Sequence, residues 1–213
     1  MLAGAALLPH PPIILPAHAA ERGDEVEATI VAVRAACDWV ARELRPDRLV
    51  VSSPHPAHGF DVPLHFLREA MGTLPPMEPL LTDQPSYRAY RRLGETLRRD
   101  SSSTDERVVV IASGDCSHRL REDGPYGFHP LGPTLDRAIR DAVSQGSADA
   151  LLDIDPVVVS EGGECGLRSF IFALAALRPG RCEILSYQAP YGVGYLVATA
   201  AAGRPPSLPF ADG

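Results

Sequence analysis

Short runs of apolar residues recur along the chain and predict buried β-strands. Within each run the apolar residues are continuous instead of alternating with polar ones, which is typical of a sheet covered on both faces. The runs are Leu2 to Leu8, Leu49 to Ser52, Val108 to Ala112, Glu183 to Tyr187 and Gly194 to Thr199.

Between these runs, apolar residues spaced by three and four positions predict amphipathic helices. The predicted helical faces are Val26, Ile30, Val33, Cys37, Val40 and Leu44; Tyr87, Tyr90, Leu93 and Leu97; residues 131–143; and Phe170, Ile171, Leu174 and Leu177 of a helix that starts near Cys165. Strands that alternate with helices predict a three-layer α/β/α sandwich with a mostly parallel central sheet. We expect a single domain over residues 1–203, followed by a Pro-rich tail over residues 204–213.

Composition narrows the class of protein. The 213 residues are 45% hydrophobic and 22% charged, which is ordinary for a globular domain, and the formal charge of −7 argues against a nucleic-acid-binding surface. No segment approaches the roughly 20 apolar residues of a membrane span, and the N-terminus lacks the charged region of a signal peptide. The four cysteines are widely spaced, with no C-x-x-C pair that would indicate a zinc knuckle. We therefore expect a cytoplasmic protein with free thiols.

Three histidines follow three of the predicted strands. His10 comes after the first strand, His55 after the second and His118 after the third, and prolines flank both His10 and His55. In open α/β sheets the carboxyl ends of the strands line the ligand crevice, so these side chains should converge. Because proline stiffens the backbone around two of them, His10 and His55 are candidate metal ligands. His58 is at best an outer-shell candidate, and His18 and His65 are expected at the surface.

Two imidazoles bind a divalent metal weakly, so an anionic third ligand is needed. Glu164, in the glycine-rich stretch 161–166, is the first candidate. Two histidines and one carboxylate form the facial triad of non-haem iron enzymes. Two alternatives stay open: Glu164 could cap the helix that follows, or Cys165 could bind the metal as a thiolate.

The chain also resembles a known family. The matching pieces, in order, are residues 8–12 (LPHPP), 53–55 (SPH), 114–118 (GDCSH), 123–130 (DGPYGFHP), 163–169 (GECGLRS), 186–187 (SY) and 192–195 (GVGY). They resemble the LigB-like family of class III extradiol ring-cleavage dioxygenases, a family that also includes Memo-type proteins. Each piece is short, but together they cover nearly the whole chain.

This resemblance implies a phosphorylase-like α/β sandwich that binds Fe(II), with zinc, copper or manganese as alternatives. By resemblance His10, His55 and Glu164 hold the metal, and His118 is the acid–base residue. The implied reaction is oxygen-dependent cleavage of a catechol-type aromatic ring. The alternative is a Memo-like metal-binding or redox-regulatory protein without ring cleavage, because Memo-type proteins place a cysteine, here Cys165, near the glutamate position.

Further residues are candidates for binding substrate or ordering the site. We expect His118 to face the crevice without binding the metal, since a fourth protein ligand would close a position that the substrate needs. Asp115 could orient His118 or bond the local backbone. Tyr126 and His129 could line the site or simply belong to a loop. Arg168 could bind a substrate carboxylate or form a structural salt bridge. A homo-oligomer, by default a dimer, is expected, and some ring-cleaving relatives require a small second subunit.

Overall fold

A six-stranded mixed sheet forms the centre of the protein. The structure is a computed structural model that describes residues 1–177 and 179–202, so the expected tail over residues 204–213 lies outside the described residues. The strands are β1 (Leu2–Leu8), β2 (Arg48–Ser53), β3 (Met77–Leu81), β4 (Val108–Ser113), β5 (Pro179–Gln188) and β6 (Tyr195–Ala202). They lie in the order β3-β2-β4-β1-β6-β5, in which β3, β2, β4 and β1 are parallel and β6 is antiparallel to both its neighbours.

Helices cover both faces of this sheet. They are α1 (Glu27–Trp39), α2 (His58–Met71), α3 (Tyr87–Ser101), α4 (Leu131–Ser144), α5 (Ala148–Leu152), α6 (Pro156–Gly162) and α7 (Leu167–Leu177), and α1 continues into a π-helical turn, Val40–Leu44. One apolar core joins the sheet to α3, α4, α5 and α7, and the other joins it to α1 and α2. The predicted three-layer α/β sandwich is therefore confirmed. Among the helices described, none has the length and apolar character needed to cross a bilayer.

Strand β3 and helices α2, α5 and α6 were not predicted, and α5 and α6 have only five and seven residues, too few for a clear helical pattern. The other two have physical reasons of their own. Strand β3 lies at the sheet edge with most of its residues exposed and contains Pro79, so it lacks a buried apolar run. Helix α2 contains Pro63 and begins in a stretch rich in proline and glycine, which is typical of a loop. Helix α3 was predicted, but Leu93 is 45% exposed and does not share the buried face of Tyr90.

The two ends of β1 have different surroundings. At its start, a Cβ atom added to Gly4 would come within 2.7 Å of the Leu44 side chain and 3.1 Å of the Trp39 ring, so glycine permits close packing of the helix against the strand. At its other end β1 runs parallel to β4 and, through β4, to β2. The residues after these three strands therefore meet at one edge of the sheet.

Candidate metal centre

A cavity of about 220 Å³ opens at the carboxyl ends of β1, β2 and β4. Its lining includes most of the residues that the sequence singles out. The lining residues are His10, Pro11, Pro12, His55, His58, Asp115, His118, Pro125, Tyr126, Cys165, Val193 and Tyr195. The predicted convergence of the three strand-end histidines is thus seen in the structure.

Two glycines bring the cysteine to this cavity. A Cβ atom on Gly114 would lie 2.1 Å from the Cα atom of Gly166, so the loop after β4 and the turn before α7 touch through their backbones. The amide of Gly166 donates a hydrogen bond of 2.9 Å to the carbonyl oxygen of Asp115. In return, the amide of Asp115 donates to the Sγ atom of Cys165 at 3.3 Å. Cys165 is therefore held against the residues that follow β4.

The ring of His10 is buried and its tautomer follows from its contacts. Its Nδ1 atom lies 2.9 Å from the hydroxyl oxygen of Ser113, and this hydroxyl donates its one hydrogen to the carbonyl oxygen of Gly59 at 2.5 Å. The hydroxyl oxygen must then accept from the Nδ1–H group, which leaves the lone pair of the ring on Nε2. The Nε2 atom lies 3.5 Å from the Sγ atom of Cys165 and 3.8 Å from the Oδ2 atom of Asp115.

Electrostatics keep the ring of His10 neutral. Burial, with smaller contributions from His55 and His58, lowers the pKa of His10 to about 3. A neutral imidazole whose Nε2 lone pair faces other donor atoms is the form that binds a metal. The hydrogen bond from Nδ1 to Ser113 is the kind of outer contact that fixes a ligating ring in place.

Two groups of candidate ligands share His10. In the first, His10, His55 and His58 have ligand atoms within 4.8 Å of one another, and in the second His10, Asp115 and Cys165 do. His58, from the sequence at best an outer-shell candidate, belongs to the first group. It is the first residue of helix α2, which was not predicted, and lies three positions after His55.

Glu164, the predicted third ligand, does not face the histidines. Its side chain is 2% exposed; Oε2 accepts from the amide of Leu167 at 2.6 Å and Oε1 accepts from the hydroxyl of Tyr87 at 3.0 Å. One oxygen thus caps the start of α7 and the other bonds the start of α3, and burial raises the pKa of Glu164. The structure corrects the placement: Glu164 caps the helix, and its neighbour Cys165 lies beside His10.

Asp115 supports His10 and makes no hydrogen bond with the ring of His118 among the described residues. Its Oδ1 atom accepts from the amide of His10 at 3.1 Å. Burial raises the pKa of Asp115 to about 6, and the His10 amide and the nearby His118 partly oppose this shift. Neither expectation for Asp115 is therefore seen among the described residues: its carboxylate bonds neither the His118 ring nor local backbone, but the amide of His10, 105 positions away.

His118 occupies the cavity wall outside both ligand groups. Its amide donates to the carbonyl oxygen of Gly163 at 2.7 Å, and its ring centroid lies 5.0 Å from that of Tyr126. Among the described residues its Nε2 atom is buried without a hydrogen-bond partner, and burial lowers the pKa of the ring. A neutral, unpartnered imidazole in a cavity can accept a proton. Its acid–base role stays a prediction.

The remaining substrate-binding candidates divide by position. Tyr126 lines the cavity and is 59% exposed at its mouth. His129 is outside the lining, where its Nδ1 atom accepts from the amide of Leu131 at 3.3 Å. Arg168 is also outside: its Nε group donates to the carbonyl oxygen of Gln84 at 2.9 Å, and its guanidinium lies 4.7 Å from the Tyr87 ring centroid. Its guanidinium also lies 4.0 Å from the Glu164 carboxylate, so the structural salt bridge fits this geometry better than binding of a substrate carboxylate.

Comparison with known proteins supplies the family. The sequence model of the catalytic LigB subunit of aromatic ring-opening dioxygenase matches residues 56–198. Protein CA_C1420 of Clostridium acetobutylicum is 36% identical over 140 residues, which are 65% of this chain and 30% of that protein, so the chain spans less than a third of this relative's length. The crystal structure of uncharacterized protein JW3007 from Escherichia coli K12 aligns with a TM-score of 0.60 over 92% of this chain and 99% of that one.

These matches carry different weight. At 16% identity the Escherichia coli protein shows a shared fold and nothing more. The family match begins after His55 and therefore includes Asp115, His118 and Cys165 but neither His10 nor His55. Since it spans well over half of the chain, this protein belongs to the family of the catalytic LigB subunit of aromatic ring-opening dioxygenases, in which Memo-type proteins are also found.

Proposed function

We propose that this chain is a metal-binding redox protein of the Memo type, with one transition-metal ion held by His10, His55 and the thiolate of Cys165. His10 belongs to both groups of candidate ligands, His55 to the first and Cys165 to the second, so the proposed ion would draw the two groups together. The proposal rests on one observation: the side chains of the adjacent residues Glu164 and Cys165 point in different directions. The Cys165 side chain lines the cavity, whereas the carboxylate oxygens of Glu164 bond the Leu167 amide at the start of α7 and the Tyr87 hydroxyl at the start of α3. A facial triad built on Glu164 is therefore not assembled.

The donor set fits a transition metal with some preference for soft ligands. Thiolates favour Cu(I), zinc and iron, and imidazoles suit zinc, copper, iron and nickel. We therefore propose copper, with zinc or iron as alternatives. When bound, copper or iron would supply one-electron redox chemistry.

The surrounding residues prepare this donor set. Ser113 keeps the His10 lone pair on Nε2, and the amide of Asp115 donates to the sulfur of Cys165, which favours the thiolate. Burial raises the pKa of the Cys165 thiol, so it is protonated until a cation displaces the proton. Tyr126 lies at the mouth of the cavity and limits access to it.

Adjacent variants test the assignment of Cys165. We expect Cys165→Ser to lower copper affinity by roughly 10²-fold or more, beyond the effect of losing an outer contact. Glu164→Gln should keep the wild-type copper stoichiometry and lose about 1 kcal/mol of stability through a weaker helix cap. The measurements are metal content by mass spectrometry, competition with a chelator, and thermal unfolding. Loss of copper in a folded Glu164→Gln variant, with Cys165→Ser unaffected, would contradict the proposal.

A second candidate function is Fe(II)-dependent extradiol cleavage of a catechol. The specific observation that favours it is His118, whose buried Nε2 atom has no partner among the described residues and whose ring lies on the cavity wall beside Tyr126. A neutral imidazole there can take a proton from a phenol and return it later. A cavity of about 220 Å³ suits a small ring better than a drug-sized ligand.

The test for this second function is direct. The protein is loaded with Fe(II) without oxygen, mixed with a panel of catechols in air and followed for yellow ring-opened products. Product formation that depends on iron would establish ring cleavage. With iron occupancy confirmed, no turnover across a broad panel would rule it out for common catechols.

A further inference from the structure

Three imidazole rings gather beside the cavity, although the assigned site needs only two. The ring centroids are 5.3 Å apart for His10 and His55, 5.2 Å for His10 and His58, and 4.9 Å for His55 and His58. A metal–nitrogen bond of about 2.0–2.1 Å puts a ring centroid about 3.2 Å from the ion, so two ligating rings are about 4.5 Å apart at a right angle and about 5.2 Å apart at the tetrahedral angle. The observed spacing therefore matches three rings around one cation.

Aromatic packing alone also produces such ring distances, so the nitrogen atoms must decide. The ligand atoms of all three rings lie within 4.8 Å of one another. In the part of the chain that the structure describes, the rings of His55 and His58 make no hydrogen bond, in contrast to His18 and His65, which bond to nearby glutamates at 3.0 and 3.1 Å. The ring nitrogens of His55 and His58 are therefore not engaged by neighbouring side chains and are free to bind a cation.

The backbone around His58 is tied to the same contact that fixes His10. The hydroxyl of Ser113 accepts from the His10 ring and donates to the carbonyl oxygen of Gly59, in the first turn of α2. A Cβ atom on Gly59 would lie 2.0 Å from the Ser53 hydroxyl oxygen, so this turn packs directly on the end of β2. The start of α2, and with it His58, is positioned by the strands that also carry His10 and His55.

We infer that His58 is a third imidazole ligand of the metal, so that His10, His55 and His58 bind one borderline or soft cation such as copper or zinc. The Cys165 sulfur lies 3.5 Å from the His10 Nε2 atom but outside the group of three histidines, so it would approach the ion from the His10 side. The inference rests on the proposed metal site and adds a ligand to it. Because His58 is exposed whereas His10 is 1% exposed, His58 lies on the solvent side of the ion.

Cobalt(II) is the probe for this ligand, because its spectra report ligand type. Co²⁺ is added to metal-free protein, its affinity is measured by chelator competition, and its imidazole ligands are counted by X-ray absorption. We expect His58→Ala to weaken Co²⁺ binding by roughly 10²-fold or more. A residue that only orients a ligand typically changes metal affinity by less than this. The imidazole count should fall by one, and the thiolate-to-cobalt charge-transfer band should remain.

His65→Ala is the matched control, because His65 lies on the same helix and bonds to Glu69 outside the cavity. It should bind Co²⁺ like wild type. Equal affinity and imidazole count in His58→Ala and wild type would overturn the inference. Three imidazoles without a thiolate band in wild type would refute Cys165 as a ligand but support His58, and no Co²⁺ binding by wild type would refute both.

Discussion

Replacing His10 by alanine is expected to abolish metal binding, whereas replacing His118 by alanine is expected to leave it nearly intact. His10 is the one member common to both groups of candidate ligands, so its loss leaves neither group complete. Affinity for copper or zinc should fall by roughly 10²-fold or more. His118 lines the same cavity but belongs to neither group, and its variant should bind within a few-fold of wild type. Metal titration of both purified variants measures the difference.

The comparison separates a ligand from an acid–base residue in one cavity. His18→Ala, at a histidine whose ring bonds exposed Glu21 outside the cavity, controls for the loss of any imidazole. Metal loss in His118→Ala as complete as in His10→Ala would make His118 a ligand and refute its predicted role. Where ring cleavage is detected, we expect His118→Ala to lower turnover by roughly 10²-fold or more, the usual scale for a positioned general base.

The second large effect is expected at Gly114. A methyl group there would lie 2.1 Å from the Cα atom and 3.0 Å from the nitrogen of Gly166, and backbone cannot move aside as a flexible side chain can. Gly114→Ala should therefore cost about 1–3 kcal/mol or more of stability, with a fall in Tm of about 2–4 °C for each kcal/mol in a chain of this length. It should also weaken metal binding, because the same contact holds Cys165 beside Asp115. Thermal unfolding followed by circular dichroism measures the first effect.

Gly127 supplies the control for that substitution. It has a φ of 71°, and a Cβ atom added there would meet no atom within 4 Å, so Gly127→Ala adds only the cost of the left-handed conformation, about 1–2 kcal/mol. Metal binding should then be unchanged. If Gly127→Ala destabilised the protein more than Gly114→Ala, the backbone contact between Gly114 and Gly166 would not be the decisive feature.

The sheet centre and the convergence of three histidines could be predicted from the sequence. Buried parallel strands appear as continuous apolar runs, and the residue that follows each run is placed at one edge by the topology. The exposed edge strand β3 has no such signature, and Pro63 obscures helix α2. Missing α2 also meant that His58, its first residue, was not placed beside His55 in the sequence analysis.

The choice between Glu164 and Cys165 could not be made from the sequence. The two residues are adjacent in a glycine-rich turn, and either could face the cavity. Their directions are set by contacts with residues distant along the chain: Tyr87 for Glu164, 77 positions away, and the Asp115 amide for Cys165, 50 positions away. Such contacts follow from the assembled fold, and no local pattern of residues encodes them.

Trp39, the only tryptophan in the chain, provides a reporter that is separate from the metal site. It packs near Gly4 at the start of β1, whereas His10 follows the end of that strand. At about 3.3 Å per residue, the strand from Gly4 to Leu8 alone separates them by roughly 13 Å. Tryptophan emission can therefore be used to measure and compare the unfolding of the metal-free and the zinc-loaded protein. A change in that emission on addition of Zn²⁺ would mean that events at the cavity reach the opposite end of the sheet.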